Sequence, residues 1–296
     1  TGKPAFTELL QIDPKKVDAK LYPRVSPLIV YDLNQDGLPE ILLAGCNLVY
    51  WNKGGGRFQH EPMLRNPIMP IGEAGILSDF NGDGHVDFVS TGKEDGLLRL
   101  WTGSAGGQFT AKPSVCFQDR YENQHTMTAA DIDLDGDLDL FVGQWKQPYL
   151  RGSMPTPYYD ANDGYPDTLL LNNGTGQFTD GTEVAGLSAK RNRRTYSASF
   201  ADLDGDHDLD LLTVCDFSGI DLYRNNGHGK FTDVTDQWVK QRHGFGMSHT
   251  VNDFDGDGAL DIYMVGMSST TARRLDQLGL GREGFEKLDA MRAPMT

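Results

Sequence analysis

Acidic side chains recur at a fixed spacing in five short loops of this chain. Each loop spans nine positions, with oxygen-bearing side chains at positions 1, 3, 5 and 9 and glycine at position 6 in four of the five. Loop by loop, the residues at positions 1, 3, 5 and 9 are Asp32, Asn34, Asp36 and Glu40; Asp79, Asn81, Asp83 and Asp87; Asp131, Asp133, Asp135 and Asp139; Asp202, Asp204, Asp206 and Asp210; and Asp253, Asp255, Asp257 and Asp261. Because so many like charges repel one another unless a cation lies between them, this spacing predicts metal binding.

The donor set favours calcium as that metal. Ca²⁺ takes about six to eight oxygen ligands, whereas Mg²⁺ prefers a strict octahedron that keeps several waters. Side chains at positions 1, 3 and 5 turn toward one centre when the chain curls around it, and glycine at position 6 permits the bend. The acid at position 9 would close the site, and the backbone carbonyl at position 7 would add a ligand. The residues at position 7 are Leu38, His85, Asp137, Asp208 and Ala259. We therefore predict about five Ca²⁺ sites.

The EF-hand, which is the main competing calcium motif, does not fit these loops. It requires a glutamate at position 12 and flanking helices. Position 12 holds Leu43, Ser90, Val142, Thr213 and Met264, and the flanking residues are typical of strands. Surface turns without metal would leave three or four carboxylates crowded in each loop without a counter-ion. The loops also vary: Asn34 and Asn81 lower the ligand charge of the first two, and His207 replaces the glycine of the fourth.

The overall charge agrees with cation binding and argues against other partners. Acids outnumber bases by 42 to 27, which gives the 296-residue chain a net charge of −15. Five Ca²⁺ ions would reduce that excess to about −5. Nucleic-acid binding depends on Lys and Arg that neutralise phosphates, and a membrane span needs about twenty apolar residues, which this chain does not contain. We therefore predict no nucleic-acid partner and no membrane insertion.

The repeat also defines the elements that position the loops. Successive loops begin 47, 52, 71 and 51 residues apart, and four Gly-rich turns each end on a phenylalanine 21 to 24 residues before the next loop. Those residues are Phe58, Phe109, Phe178 and Phe231. Every loop runs directly into a short β-branched and aromatic segment, which is typical of a strand. Units of about fifty residues built from short strands predict an all-β fold, a calcium-binding β-propeller of four-stranded blades.

This repeat sets the predicted domain organisation. Residues 1–267 would form the propeller, with five recognisable blades, and residues 268–296 a C-terminal helical or irregular extension with a short helix over 270–279. Whether five blades make the whole ring or part of a larger one stays open. The N-terminal segment Phe6-Thr7-Glu8 is similar to the Phe-Thr-Asp that ends other repeats. We therefore predict that Phe6 pairs with the C-terminal blade, either in this sequence or in segments that it does not include.

One repeat is about twenty residues longer than the others, and the extra residues lie between Trp145 and Asp167. Three prolines and several aromatic residues within residues 147–160 predict an ordered excursion without regular structure. The simplest interpretation is a tolerated surface insertion. The alternative is a ligand-binding loop, in which Trp145, Tyr149, Tyr158 and Tyr159 would form an exposed aromatic platform.

These patterns resemble a known group, the FG-GAP and VCBS repeat proteins, which share the Asp-x-Asp-x-Asp-Gly-x-x-Asp loop of integrin α-subunit propellers. Within that group, the Asn-Asn-Gly-x-Gly-x-Phe-Thr-Asp turn followed by Val-Ala-Gly-Leu at 184–187 is most similar to the ASPIC/UnbV proteins, relatives of cartilage acidic protein. The resemblance covers about residues 25–267. It implies a calcium-bound β-propeller that is secreted and not catalytic. Two features depart from it: such propellers commonly have seven blades, and no C-terminal ASPIC/UnbV domain follows the repeats.

The predicted function is therefore that of a secreted or periplasmic binding or adhesion module for a protein or glycan ligand. Weak calcium sites fill in a millimolar-calcium medium outside the cell but not in the cytosol. Two alternatives remain: a lectin, or a calcium-dependent polysaccharide lyase that would use a cluster of basic and aromatic residues. The cluster consists of Arg191, Arg193, Arg194 and Tyr196. The three cysteines form no CxxC pair, and we predict that they are buried thiols.

Overall fold

The computed structural model describes residues 27–65 and 70–268, together with residues 273, 277 and 278. The predicted N-terminal strand around Phe6 lies outside these residues, as does almost all of the C-terminal extension. Within that extension, the described residues Arg273 and Gln277 are helical. The fold is nearly all-β, and it is consistent with the predicted propeller. In the described part of the chain, no helix has the length and apolar character needed to cross a membrane.

The chain divides into two compact units, Thr1–Arg120 and Tyr121–Thr296. The first unit contains two antiparallel four-stranded blades, each with its strands in sequence order. Blade 1 comprises β1 (Leu28–Tyr31), β2 (Glu40–Leu43), β3 (Leu48–Asn52) and β4 (Phe58–Pro62). Blade 2 comprises β5 (Ile71–Ser78), β6 (Asp87–Gly92), β7 (Leu97–Trp101) and β8 (Ser114–Arg120). A 3-10 turn, Ala44–Cys46, connects β2 to β3. Side chains from both blades, among them Leu42, Phe88 and Trp101, form the core of this unit.

The described residues of the second unit form three blades. Blade 3 comprises β9 (Gln124–Ala130), β10 (Asp139–Gln144), β11 (Thr168–Asn172) and β12 (Phe178–Asp180). Blade 4 comprises β13 (Arg194–Ala201), β14 (Asp210–Asp216), β15 (Gly219–Arg224) and β16 (Thr232–Asp233), followed by a short helix, α1 (Thr235–Trp238). A 3-10 turn, Ser188–Lys190, lies between these two blades. In the described residues, blade 5 has two strands, β17 (Phe245–Asn252) and β18 (Asp261–Met267).

The acidic loops lie where the sequence predicted them. Each one connects the first strand of a blade to the second, and the second strand always begins at the acid in position 9. The second strands of blades 2, 3 and 4 are buried at every position, which agrees with their continuous apolar sequence, whereas β2 is buried at alternate positions and β18 is largely exposed. All seven residues of β14 are buried, for example. The prediction that each loop runs straight into a strand is confirmed.

The insertion between β10 and β11 is ordered but irregular, as predicted. Its one regular element is a 3-10 turn, Leu150–Gly152. It is attached to blade 4 by backbone hydrogen bonds, including Ala161 N–H to the Phe217 carbonyl at 3.1 Å and Asp167 N–H to the Arg191 carbonyl at 2.6 Å. The three cysteines are buried and form no disulfide, which confirms that prediction.

Candidate metal centres

All five acidic loops are shaped by the same local hydrogen bonds. The carboxylate at position 1 accepts the backbone N–H of position 6, and the carboxylate at position 5 accepts the N–H of position 7. In the third loop these bonds are Gly136 N–H to Asp131 Oδ2 at 3.1 Å and Asp137 N–H to Asp135 Oδ1 at 2.9 Å. Short-range bonds of this kind are what Asp side chains form readily in turns. They fix the curl of the loop and bring its carboxylates together.

Oxygen atoms of three acids converge in each of the last three loops, where the ligand atoms lie within 4.8 Å of one another. The three clusters are Asp131, Asp133 and Asp135; Asp202, Asp204 and Asp206; and Asp253, Asp255 and Asp261. In the first two loops, the amide at position 3 donates to the carboxylate at position 5, from Asn34 to Asp36 and from Asn81 to Asp83. That bond relieves part of the repulsion, so the charge is most concentrated in loops 3 to 5.

One buried oxygen atom tests whether the third loop fits a cation. Asp133 Oδ1 is inaccessible to solvent, and among the described residues it has no hydrogen-bond partner. A buried carboxylate oxygen without a partner is costly, and in native proteins such an atom calls for an explanation. Burial and the neighbouring charge of Asp135 raise the pKa of Asp133. A cation coordinated by positions 1, 3 and 5 would satisfy this oxygen, so the residues fit the metal that the sequence predicts.

The acid at position 9 joins the loop to the blade. Its carboxylate accepts the backbone N–H of position 2 and, in blades 1 to 4, the N–H of the residue that begins the Gly-rich turn. For Asp210 the donors are Leu203 at 3.1 Å and Asn225 at 2.8 Å. Burial raises the pKa of Asp210 to about 6 and that of Asp139 to about 7. Each carboxylate oxygen has a second lone pair that these hydrogen bonds do not use. They therefore do not conflict with the ligand role of position 9, which stays a prediction.

The loops bend at two left-handed residues, whereas the sequence analysis predicted only one. At position 6, His207 adopts φ +73°, close to the +96° of Gly136, so His tolerates this conformation here. Position 4 is also left-handed, with Leu134 at φ +62° and Gln35 at +58°. These residues escaped the sequence analysis because a non-glycine at position 4 gives no turn signal. The other three loops have glycine at this position, as the conformation favours.

In blades 1, 3 and 4, an asparagine that the sequence did not mark as functional holds the Gly-rich turn against the acidic loop. The amide Nδ2 groups of Asn52, Asn172 and Asn225 donate to the carbonyl at loop position 8 of the same blade. Blade 2 has Gly103 at this place, where a Cβ atom would lie 1.9 Å from the Val86 carbonyl oxygen. No sequence signal marks this contact, because the asparagine and the loop carbonyl are 13, 34 and 16 residues apart in the three blades. Only the structure shows that they are bonded.

The four aromatic residues predicted as a ligand platform fall into two groups. Trp145 is half-buried and packs on Tyr196, with ring centroids 5.4 Å apart. Tyr158 and Tyr159 are also half-buried, and Tyr158 packs against Phe217 at 5.2 Å. Tyr149 is exposed, and its hydroxyl lies 2.8 Å from that of Tyr158. The four rings therefore do not form one exposed surface.

The basic residues proposed for a lyase site are engaged in ion pairs. Arg193 contacts Asp221 at 2.9 Å and Asp160 at 2.8 Å, and Arg194 contacts Asp163 at 2.9 Å. Both guanidinium groups are buried. Arg191 is partly exposed and pairs with Asp180 at 3.3 Å. The pairs with Asp160 and Asp163 attach the insertion to the start of blade 4, and removing one partner from such a buried pair is strongly destabilising.

Antiparallel blades, each with an acidic loop between its first and second strands, define a repeat protein with a propeller-like fold. The sequence model of the FG-GAP-like repeat matches residues 79–142, 159–213 and 208–264, which together exceed half of the chain. The chain belongs to the FG-GAP-like repeat family. None of the curated proteins matches the sequence significantly.

Solved structures with a similar fold include a lectin and two lyases. The Agrocybe aegerita lectin, described as recognising non-reducing terminal N-acetylglucosamine, is 20% identical; the match covers 83% of this chain and 62% of that one, with a TM-score of 0.49. An exotype rhamnogalacturonan lyase is 17% identical, with coverages of 83% and 45% and a TM-score of 0.43. The Bacillus licheniformis rhamnogalacturonan lyase is 15% identical, with coverages of 85% and 55% and a TM-score of 0.36. The chain spans less than two thirds of these structures, and at these scores the likeness says nothing about ligand or activity.

Proposed function

We propose that this protein is a calcium-stabilised, non-catalytic binding or adhesion module of the ASPIC/UnbV type, with a protein or glycan as its ligand. The observation that carries the proposal is the shared loop geometry. Five loops use the same backbone hydrogen bonds to gather carboxylates, and Asp133 Oδ1 is buried in one of them without a hydrogen-bond partner among the described residues. A loop preorganised in this way loses little conformational entropy when it takes up a cation.

The residues that would hold each ion are those at positions 1, 3 and 5, with the carbonyl of position 7 and the acid of position 9. Bound Ca²⁺ would neutralise the clustered carboxylates and so stabilise every blade. The loops connect strands inside each blade, so the benefit is structural and leaves the outer surface of the repeats free for a ligand.

The proposed location is outside the cytoplasm, either secreted or periplasmic. Extracellular calcium modules work with dissociation constants of about 10⁻⁴–10⁻³ M, which cytosolic calcium cannot satisfy. A non-catalytic role is supported by the ion pairs of Arg193 and Arg194, whose guanidinium groups are buried among internal acids. A glycan ligand is supported by Tyr149, the exposed ring of the insertion.

Calcium titration of the protein stripped of metal tests the proposal. Isothermal calorimetry should show about five sites. The melting temperature should rise with calcium, because each site adds about 2.7 kcal/mol to the free energy of unfolding at a hundredfold excess over the dissociation constant. Asp133→Ala should remove one site. Asp137→Ala is the matched control, since it deletes the same charge from the same loop while its side chain lies outside the oxygen cluster, against Gly174.

Two results would refute the calcium proposal. One is an unchanged melting temperature after chelation, with elemental analysis showing that the metal has gone. The other is an equal loss of calcium binding in Asp133→Ala and Asp137→Ala, which would mean that net charge rather than the cluster attracts the ion. A separate pair of assays, a glycan array and a lyase assay in calcium, distinguishes the three candidate functions. Glycan binding would indicate a lectin, cleavage a lyase, and neither a protein-binding module.

A further inference from the structure

The sequence contains three Asn-Gly pairs, one in an acidic loop and two in Gly-rich turns. They are Asn81-Gly82, Asn173-Gly174 and Asn226-Gly227. In such a pair the backbone nitrogen of the glycine can attack the side chain of the asparagine, because glycine has no Cβ atom to block the approach. The reaction is intramolecular and consumes only water, so the local geometry decides which of the three pairs reacts.

The side chain of Asn173 lies beside the nitrogen that would attack it. Its Oδ1 accepts the Thr175 N–H at 3.1 Å, so the side chain curls forward over Gly174, in the turn that asparagine forms with the residue two positions on. Within the part of the chain that the structure describes, the Gly174 N–H donates no hydrogen bond. Asn173 is exposed to water, and Gly174 is half-buried. The attacking nitrogen is therefore close to the amide carbon and is not held by another group.

A hydroxyl group completes the arrangement around Asn173. Thr175 Oγ1 donates to Asn173 Oδ1 at 2.7 Å, in addition to the bond from the Thr175 N–H. When the Gly174 nitrogen attacks the amide carbon, negative charge develops on Oδ1. Two donors already directed at that oxygen stabilise the charge in the transition state, as an oxyanion hole does.

The other two pairs lack part of this arrangement. Among the described residues, Asn226 Oδ1 accepts only backbone N–H groups, the nearer from His228 at 3.1 Å, and Gly227 is buried. The Gly82 N–H is bound by Asp79 Oδ1 at 2.8 Å, which holds that nitrogen in the loop. Of the three pairs, only the one in the blade 3 turn combines a hydroxyl donor with an unbound nitrogen.

We propose that Asn173 is a self-modification site, at which the folded turn converts asparagine to aspartate and isoaspartate. The Gly174 nitrogen forms a bond to Asn173 Cγ, and the bond from Cγ to Nδ2 breaks. The amide nitrogen leaves as ammonia and takes up the proton of the Gly174 N–H. Water then opens the resulting cyclic imide. Opening at the side-chain carbonyl gives aspartate, and opening at the main-chain carbonyl gives isoaspartate, in which the backbone is longer by a methylene group.

The product changes the contact between the blade 3 turn and its acidic loop. Gly174 lies against the Asp137 carboxylate, since a Cβ atom on the glycine would be 2.8 Å from Asp137 Oδ2. The reaction adds a second carboxylate one residue from this contact, and like charges repel. Isoaspartate also lengthens the turn that Asn172 Oδ1 holds by accepting Asn173 N–H at 2.9 Å and Gly176 N–H at 3.1 Å. Modification therefore loosens the turn.

Ageing of the purified full chain at mildly alkaline pH, followed by peptide mass spectrometry, tests the proposal. The exchange of an amide NH2 for OH changes the mass and locates the modified residue. Asn173 should react about tenfold faster than Asn226, because a hydrogen bond to a developing charge is a strong one. Thr175→Val removes the hydroxyl and keeps the N–H, so it should slow the reaction at Asn173 by about tenfold. Thr175→Ser keeps the hydroxyl and should react as the wild type does.

Ageing in urea separates the effect of the fold from that of the dipeptide. In the unfolded chain the three pairs should react at similar rates, and Thr175→Val should have no effect. Equal circular dichroism melts would show that both Thr175 variants are folded. Three results would overturn the proposal: an Asn173 that reacts only in urea, similar rates at Asn173 and Asn226 in the folded protein, or equal rates at Asn173 in the wild type and Thr175→Val.

Discussion

Replacement of Asn225 by alanine should destabilise the second unit more than the equivalent change in blade 1 destabilises the first. Asn225 is 2% exposed, and its side chain makes three hydrogen bonds. Nδ2 donates to the carbonyls of Ile132 at 2.8 Å and Leu209 at 3.2 Å, and Oδ1 accepts Asn226 N–H at 2.8 Å. One asparagine therefore connects the turn, its own acidic loop and the loop of blade 3.

The expected magnitude follows from those bonds. A typical hydrogen bond contributes about 0.5–1.5 kcal/mol, and a buried partner left unsatisfied costs more. Three bonds give an expected loss of about 2–4 kcal/mol for Asn225→Ala. The matched variant is Asn52→Ala, whose side chain bonds only to Pro39 and Gly54 among the described residues, at a half-buried site open to water. Its expected cost is about 1 kcal/mol.

Guanidinium denaturation followed by circular dichroism, at fixed calcium, would measure both variants. The two units could unfold in separate steps, so amide hydrogen exchange should accompany it. Asn225→Ala should accelerate exchange in the blade 3 loop, residues 131–139, which is far away in sequence. Equal costs for the two variants, or unchanged exchange in that loop, would refute the reasoning that this asparagine joins the two blades.

Two further predictions concern loop conformation and pH. His207→Gly should raise the free energy of unfolding by about 0.5 kcal/mol, because relief of the left-handed strain exceeds the entropy that glycine adds to the unfolded chain. The reverse change, Gly136→His, should lower it by about 1 kcal/mol. Chemical denaturation of both would check this, and stabilisation by the second change would contradict it. Burial lowers the pKa of His249 below its ordinary 6.5, and its Nε2 lies 2.8 Å from Ser199 Oγ. The unfolded chain then binds the proton more readily, so the stability is present above about pH 6.5 and falls below it. His249→Gln should flatten that decline between about pH 7 and about pH 5; an identical pH profile would mean that His249 does not contribute.

The sequence alone was enough to predict the class of fold and the position of every loop. Acids at positions 1, 3, 5 and 9 of a nine-residue segment are typical of a tight turn, and short apolar segments at a repeat length of about fifty residues are typical of strands. The start of β14 at Asp210 and of β18 at Asp261 followed from this pattern. Local sequence is informative here because local hydrogen bonds, such as Asp137 N–H to Asp135, shape the loops.

Only the tertiary structure decided which groups are in contact across strands and blades. The bond between Asn225 and the Ile132 carbonyl joins residues 93 positions apart, and no local pattern encodes such a pair. The same holds for Arg193, a basic residue that the sequence offered as a substrate group, because its partners Asp160 and Asp221 become neighbours only when the insertion folds onto blade 4. Exposure was equally undecided, since Phe254 and Ile132 have the same loop position and similar apolar character. Ile132 is covered by the turn of the following blade, whereas among the described residues no turn bonds to Phe254, so burial depends on what stands beside the loop and not on the loop itself.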